Sequence, residues 1–116
     1  MVGEKKAKLL RIFVSSTDKI EHKPLYEEVV YAAKNFGIAG VTVIKGVMGY
    51  GASSQIYSQK LWEVSEKTPL IIEIVDEEEK ILEFVSNIMP FLDNSGKGCM
   101  VTIEDSFILL AKKGNK

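Results

Sequence analysis

The sequence predicts an α+β fold in which two helices cover one face of a small antiparallel sheet. Three observations carry this. Apolar, largely β-branched runs at residues 8–15, 40–44, 69–75 and 99–103 read as strands. Two stretches, one opening at Pro24 and the other at Asp76, space their apolar residues with helical period. The resulting order is strand, helix, strand, strand, helix, strand, the split βαβ arrangement of the ferredoxin-like sandwich. A short extra C-terminal strand is expected at residues 106–111.

The first strand stops at the polar run Ser15-Ser16-Thr17-Asp18. Pro24 suits a first helical position, where its fixed φ is preorganised and its missing N–H costs nothing. Leu25, Val29, Ala32, Ala33 and Phe36 then form the core stripe, and Gly37 supplies a left-handed cap. The second strand runs into a glycine-punctuated stretch at Gly46, Gly49 and Gly51. Residues 52–67 are polar, with mild helical character and no core stripe. That length far exceeds the usual connection of about 4–6 residues, so the segment is expected to project from the sheet and to move. The third strand is strongly apolar. After it, Asp76 with Glu79 three residues on reads as a capping box. Ile81, Phe84 or Val85, Ile88 and Leu92 give the second helix its apolar stripe, and residues 93–98 form a turn-rich loop.

A sheet covered on one face should alternate apolar and polar residues. This one does so imperfectly. Leu10, Ile12 and Val14 share one face of the first strand, but Leu9 and Phe13 point the other way. In the third strand Leu70, Ile72 and Ile74 share a face, while Ile71 and Val75 flank Glu73 on the other. Leaving such side chains wet forgoes about 1.5–3 kcal/mol each, against the roughly 5–15 kcal/mol that a whole domain nets. The chain has no further element to cover them, so copies of itself are expected to do so.

The 116 residues suit one domain spanning 1–116. Lys+Arg 15 against Asp+Glu 16 leaves a net charge of −1, which speaks against nucleic acid as a partner. Arg11 is the single arginine among fourteen lysines, so bidentate base readout is not expected. No apolar run approaches the roughly 20 residues that cross a bilayer, so no direct membrane insertion is expected. The charged residues 1–8 are not followed by an uninterrupted apolar segment ending at a cleavage site, so no secretory signal is expected. Cys99 stands alone, which fits a reducing cytoplasm, and with the lone His22 it cannot build a zinc site. Cys99 reads as a small apolar strand residue and His22 as an exposed loop residue. The acidic run 76–79 suits the positive end of a helix better than a metal. Tyr26 and Tyr31 fall off the core stripe and are candidate contact residues.

Several segments occur together in a telling order. Gly37-Ile38-Ala39-Gly40-Val41-Thr42-Val43 leads to Gly49-Tyr50-Gly51; Ile72-Glu73-Ile74-Val75 and Gly96-Lys97-Gly98 follow. From about residue 9 to 113 this resembles the nitrogen regulatory protein PII and its PII-like relatives. The run Gly49-Tyr50-Gly51-Ala52-Ser53-Ser54 is similar to a small branch of PII-like proteins. There are departures. The spacing from Gly40 to Gly49 is one residue longer than in PII, predicting a bulge near Gly46. Residues 52–67 are shorter than the long loop with which PII grips partners, and no motif equates Tyr57 with the tyrosine modified in some PII proteins.

The resemblance implies a homotrimer assembled around the uncovered sheet faces. It implies an adenine nucleotide (ADP, AMP or ATP) in clefts between subunits, no metal, and a protein partner met through residues 52–67. Carried onto this sequence, the nucleotide site comprises Thr42, Gly49, Tyr50, Gly51, Gly96, Lys97, Gly98, Lys112 and Lys113. Glycines let backbone N–H groups approach a phosphate, and the lysines add point charges. In the resemblance, Thr42 matches a position that reaches the adenine from the neighbouring chain. No enzyme is expected. An acylphosphatase needs an arginine in a phosphate-cradling loop, whereas Arg11 lies within a strand; an RNA binder of this fold needs more strand aromatics than Phe13. The alternatives are a metal-tolerance trimer of the CutA type, which would need soft or imidazole ligands, and a ligand-free interaction module.

Overall fold

The computed structural model describes residues 2–51, 57–58 and 67–115. Most of the 52–67 segment, including Ala52-Ser53-Ser54, therefore lies outside the described residues. The elements are β1 (Val2–Ser15), β2 (Lys19–Ile20), β3 (Lys23–Pro24), α1 (Leu25–Phe36), β4 (Gly40–Lys45), β5 (Met48–Gly49), β6 (Tyr57–Ser58), β7 (Pro69–Glu77), α2 (Glu78–Asp93) and β8 (Met100–Leu110). The main sheet has the order β4-β7-β1-β8 with every pairing antiparallel. This is the predicted α+β, ferredoxin-like topology.

Alternation sorts the two faces as expected. Leu10, Ile12 and Val14 of β1 and Leu70, Ile72 and Ile74 of β7 are buried in one core with Leu25, Val29 and Ala33 of α1. Ile81, Phe84, Ile88 and Leu92 of α2 complete it. Phe36 and Phe84 meet edge to face, 5.6 Å between centroids, and join the two helices. Gly37 closes α1 at φ 91°, with Gly37 N–H donating to Lys34 O and Ile38 N–H to Ala33 O. That double closure is a Schellman cap, which satisfies carbonyls the helix end leaves free.

Four details differ from the sequence reading. The expected extra strand at 106–111 is not separate, because β8 is continuous from Met100 to Leu110. Its partner explains this: β1 begins at Val2, and their register runs from Phe13↔Met100 to Val2↔Leu110. The one irregularity, between Val2 and Lys5, coincides with Gly3 at φ 118°. Pro24 is the residue before α1 rather than its first, with an extended ψ of 129°. The capping box does not form. Glu77 occupies the N-cap without a side-chain bond, while Asp76 remains in β7, 8% exposed. Its Oδ2 accepts Ala39 N–H at 2.9 Å and its Oδ1 accepts Glu77 N–H at 2.6 Å, tying the α1–β4 connection to the end of β7.

The fourth difference is a β2–β3 hairpin that turns through Glu21 (φ 49°) and His22 (φ 72°). Two left-handed residues suit the primed turns of tight hairpins, but Glu-His lacks the Asn-Gly signature that announces them. Within 52–67, the described Tyr57–Ser58 pair with Met48–Gly49 as a two-stranded ladder rather than as helix.

Candidate functional site

Beyond Lys45 the chain leaves the main sheet at Gly46, whose N–H donates to Pro69 O at 2.8 Å. A Cβ there would come within 2.9 Å of Pro69 Cγ, so only glycine permits this approach. The expected bulge is not a slip in the ladder, since β4 pairs regularly with β7 through Lys45↔Leu70. The chain then crosses the end of the sheet as Met48-Gly49-Tyr50-Gly51. On the other side, Gly98 leads into β8.

Between them lies a cleft of about 230 Å³. Gly49, Tyr50, Gly51 and Gly98 line it together with Met48, and Phe13 and Ile71 form its floor. Thus two predicted groups of site residues, separated by almost fifty positions in the chain, meet at one end of the sheet. Gly51 has a free flank: an added Cβ would meet nothing within 4 Å, and its φ is not left-handed. The backbone conformation there does not require glycine. Gly96, by contrast, sits at φ 78°, where the turn itself favours glycine.

The other predicted residues are dispersed. Lys97 lines a separate open depression with Lys19, Glu21, Asn94 and Ser95, and its N–H donates to Ser95 Oγ at 3.1 Å. Thr42 lies exposed midway along β4, opposite Glu73 on the uncovered face. Lys112 and Lys113 follow Leu110, at the opposite end of the sheet from Met100 and the cleft. Ten residues of strand separate these ends, roughly 33 Å at about 3.3 Å per residue. Among the described residues no cationic side chain lines the cleft. A phosphate there has backbone N–H groups and the hydroxyl-bearing Ser15 and Tyr50 around it, and no cation unless a second copy delivers its lysines.

The uncovered face continues from the cleft floor. Phe13↔Ile71, Arg11↔Glu73 and Leu9↔Val75 pair directly across β1 and β7, with Ile44, Thr42 and Gly40 beyond them on β4. Met100, opposite Phe13, is 47% exposed. In the middle of this apolar field Arg11 Nε contacts Glu73 Oε2 at 2.9 Å, and its guanidinium also bonds Glu104. Hydrogen bonds to Glu73 and then Glu104 raise the Arg11 pKa further. Two carboxylates thus engage Arg11, which leaves it unsuited to cradle a phosphate as an acylphosphatase arginine does.

Sequence reasoning missed Met48 and the role of Phe13 and Ile71 in the cleft floor. The signal was available: in the antiparallel sheet of a ferredoxin-like fold the first predicted strand lies beside the third, which places the end of β1 next to the start of β7. Cys99 packs half-buried against the core, and burial, then Asp18 and Asp93, push its thiol pKa up. His22 is exposed at the hairpin tip. Among the described residues no three His, Cys, Asp or Glu side chains converge as metal ligands, and no helix is long and apolar enough to cross a membrane.

Residues 7–107 match the DUF190 family, described as Uncharacterized ACR, COG1993. A UPF0166 protein of Aquifex aeolicus (strain VF5) is 40% identical over 101 residues, covering 86% of this chain and 90% of its own. Among solved structures, CPII of Thiomonas intermedia K12 is a nitrogen regulatory PII-like protein bound to ADP, AMP and bicarbonate. It matches with a TM-score of 0.69 at 17% identity, over 95% of this chain and 94% of its own. The PII-like protein TTHA0516 of Thermus thermophilus matches with a TM-score of 0.67 at 17% identity, over 93% and 94%. At such identities the two structures speak to fold. On the family match and the fold together, this chain belongs to the DUF190 (UPF0166) family and has the fold of PII-like proteins.

Proposed function

We propose that this protein is a non-enzymatic, PII-like regulator that binds an adenine nucleotide between the subunits of a homotrimer. The supporting observation is the convergence of Gly49-Tyr50-Gly51 and Gly98 on one apolar-floored cleft. In this reading residues 1–116 act as one domain. Tyr50, Met48 and the floor take the base or sugar, while glycine N–H groups face phosphate. Lys112 and Lys113 arrive from a second copy, because their own copy holds them at the far end of β8; Thr42 and Lys97 belong to the same intersubunit site. Residues 52–67, which begin next to Gly51, carry the response to a protein partner. The lone Cys99 suits work in the cytoplasm. CPII of Thiomonas intermedia K12, which shares the fold, holds ADP and AMP.

A ligand that binds only the folded state at a hundredfold excess over its dissociation constant stabilises it by about 2.7 kcal/mol. Melting against ATP, ADP, AMP and cyclic AMP should therefore show a rise for at least one. Replacing Lys112 and Lys113 together by alanine should reduce that rise, and salt should reduce it further. No shift with any of the four at millimolar concentration would remove the nucleotide reading. Sedimentation equilibrium tests the trimer separately.

A further inference from the structure

A second cleft opens on the helix-covered side of the same sheet end. It measures about 340 Å³, within the range of small-molecule sites. The hydroxyl-bearing residues Ser16, Thr17, Thr68 and Tyr26 line it with the cation Lys45, and Val43 and Leu70 form an apolar wall; the Thr17 hydroxyl also pairs with Ser15 Oγ at 3.2 Å. Lys45 reaches this side because it pairs with Leu70, whose side chain points into the core.

The observation that marks it is Thr68. This residue is 0% exposed, yet its Oγ1 is the one buried side-chain oxygen or nitrogen among the described residues with no hydrogen-bond partner. Leaving a buried hydroxyl unsatisfied costs about 1–3 kcal/mol. The backbone offers no local remedy, because Thr68 N–H already donates to Ser16 Oγ and Thr68 O already accepts Ser16 N–H, both at 2.9 Å. Valine would fill the same space without the orphan group. Two carboxylates lie nearby in the chain and both are engaged: Asp18 Oδ2 accepts Ser15 N–H at 3.2 Å, and Glu27 accepts the Tyr26 hydroxyl at 3.4 Å. Neither lines the cleft, whose one charged side chain among the described residues is Lys45, which suits a single negative charge.

We propose that this cleft is a binding site for a small organic acid carrying one carboxylate. The carboxylate lies between the Lys45 ammonium and the Thr68 and Thr17 hydroxyls, and the carbon body rests on Val43, Leu70 and the Tyr26 ring. The site is separate from the nucleotide cleft, whose floor is Phe13 and Ile71 on the uncovered face, and only Leu70 lines both.

Backbone amide NMR of the full chain tests this with butyrate, its neutral isostere butyramide, and the dianion succinate as probes. Butyrate should move the Ser16, Thr17 and Thr68 amides saturably. Butyramide and succinate should each bind about tenfold more weakly, the loss expected when a charge-assisted hydrogen bond is removed or a second carboxylate is set against the apolar wall with no second cation. Thr68→Val should abolish most of the butyrate affinity while raising the melting temperature of the free protein, and Thr68→Ser should restore binding. Lys45→Met should weaken butyrate without weakening butyramide. The proposal falls if butyrate moves no amide at millimolar concentration, if Thr68→Val binds as well as the parent, or if succinate binds as tightly as butyrate. It also falls if the movement centres on Gly49 and Gly98, which would assign the acid to the nucleotide cleft.

Discussion

The two faces of the sheet are built from the same strands yet are finished differently. On the helix side, Ile12, Ile72 and Ile74 are wholly excluded from solvent under α1 and α2. On the other side, Leu9, Phe13, Ile71 and Val75 stay only partly buried, around the Arg11–Glu73–Glu104 group. The chain completes the first face by itself and leaves the second for something else. The charged group explains why the second face tolerates exposure without being polar throughout. It also gives that face a directional pattern, which apolar contact alone lacks. A copy laid over it must accommodate an arginine with two carboxylates, and breaking such a pair once covered is strongly destabilising.

The largest expected effect breaks the finished face. Phe84→Ala removes the ring that contacts Phe36 and should cost about 3–5 kcal/mol. Chemical denaturation should show that loss equally at low and high protein concentration, because the packing is within one chain.

Phe13→Asp should act on the unfinished face instead. A carboxylate placed opposite Ile71 and Met100 opposes covering by another copy. Sedimentation should show a smaller assembly at micromolar concentration, with the helical circular dichroism retained. Unchanged mass and melting would show that no copy covers Phe13 and would sink the self-association argument.

The smallest effect sharpens the boundary between the faces and solvent. Asp105 bonds Lys8, and that bond holds its carboxyl below the usual range. A depressed carboxylate contributes stability above its unfolded pKa and loses it as pH falls through the folded value. Asp105→Asn should therefore melt slightly below the parent near neutrality, and the two curves should converge in acid. Lys8 retains Glu78 at 3.5 Å, which keeps the difference small. A gap that widens on acidification would contradict the assigned pair.

Periodicity was readable wherever one element decides its own pattern. Alternation in β1 and β7 separated Leu10, Ile12 and Val14 from Leu9 and Phe13 before any pairing was known, and the stripe of α2 named Ile81, Ile88 and Leu92 while leaving Phe84 or Val85 open, a choice that packing settles for Phe84. The misreadings share another feature. Asp76 has the sequence of a helix cap, but its carboxylate binds Ala39 N–H, thirty-seven residues earlier in the chain. Residues 106–111 read as a separate short strand because the N-terminal partner that makes β8 continuous is visible only in the register.

The candidate site divides in the same way. Sequence by itself determined the fold class, the two-sided apolar sheet, and the glycine groups around residues 49–51 and 96–98, because these depend on local spacing and residue chemistry. Only the tertiary structure decided that Gly98 joins the 49–51 cleft while Lys97 turns elsewhere, and that Lys112 and Lys113 stand at the other end of the sheet. It also decided that Thr68, unremarkable in the sequence, is a buried hydroxyl without a partner. The physical reason is that strand pairing sets distances between residues far apart in the chain. A hydrogen bond made or missed across such a distance leaves no trace in local composition.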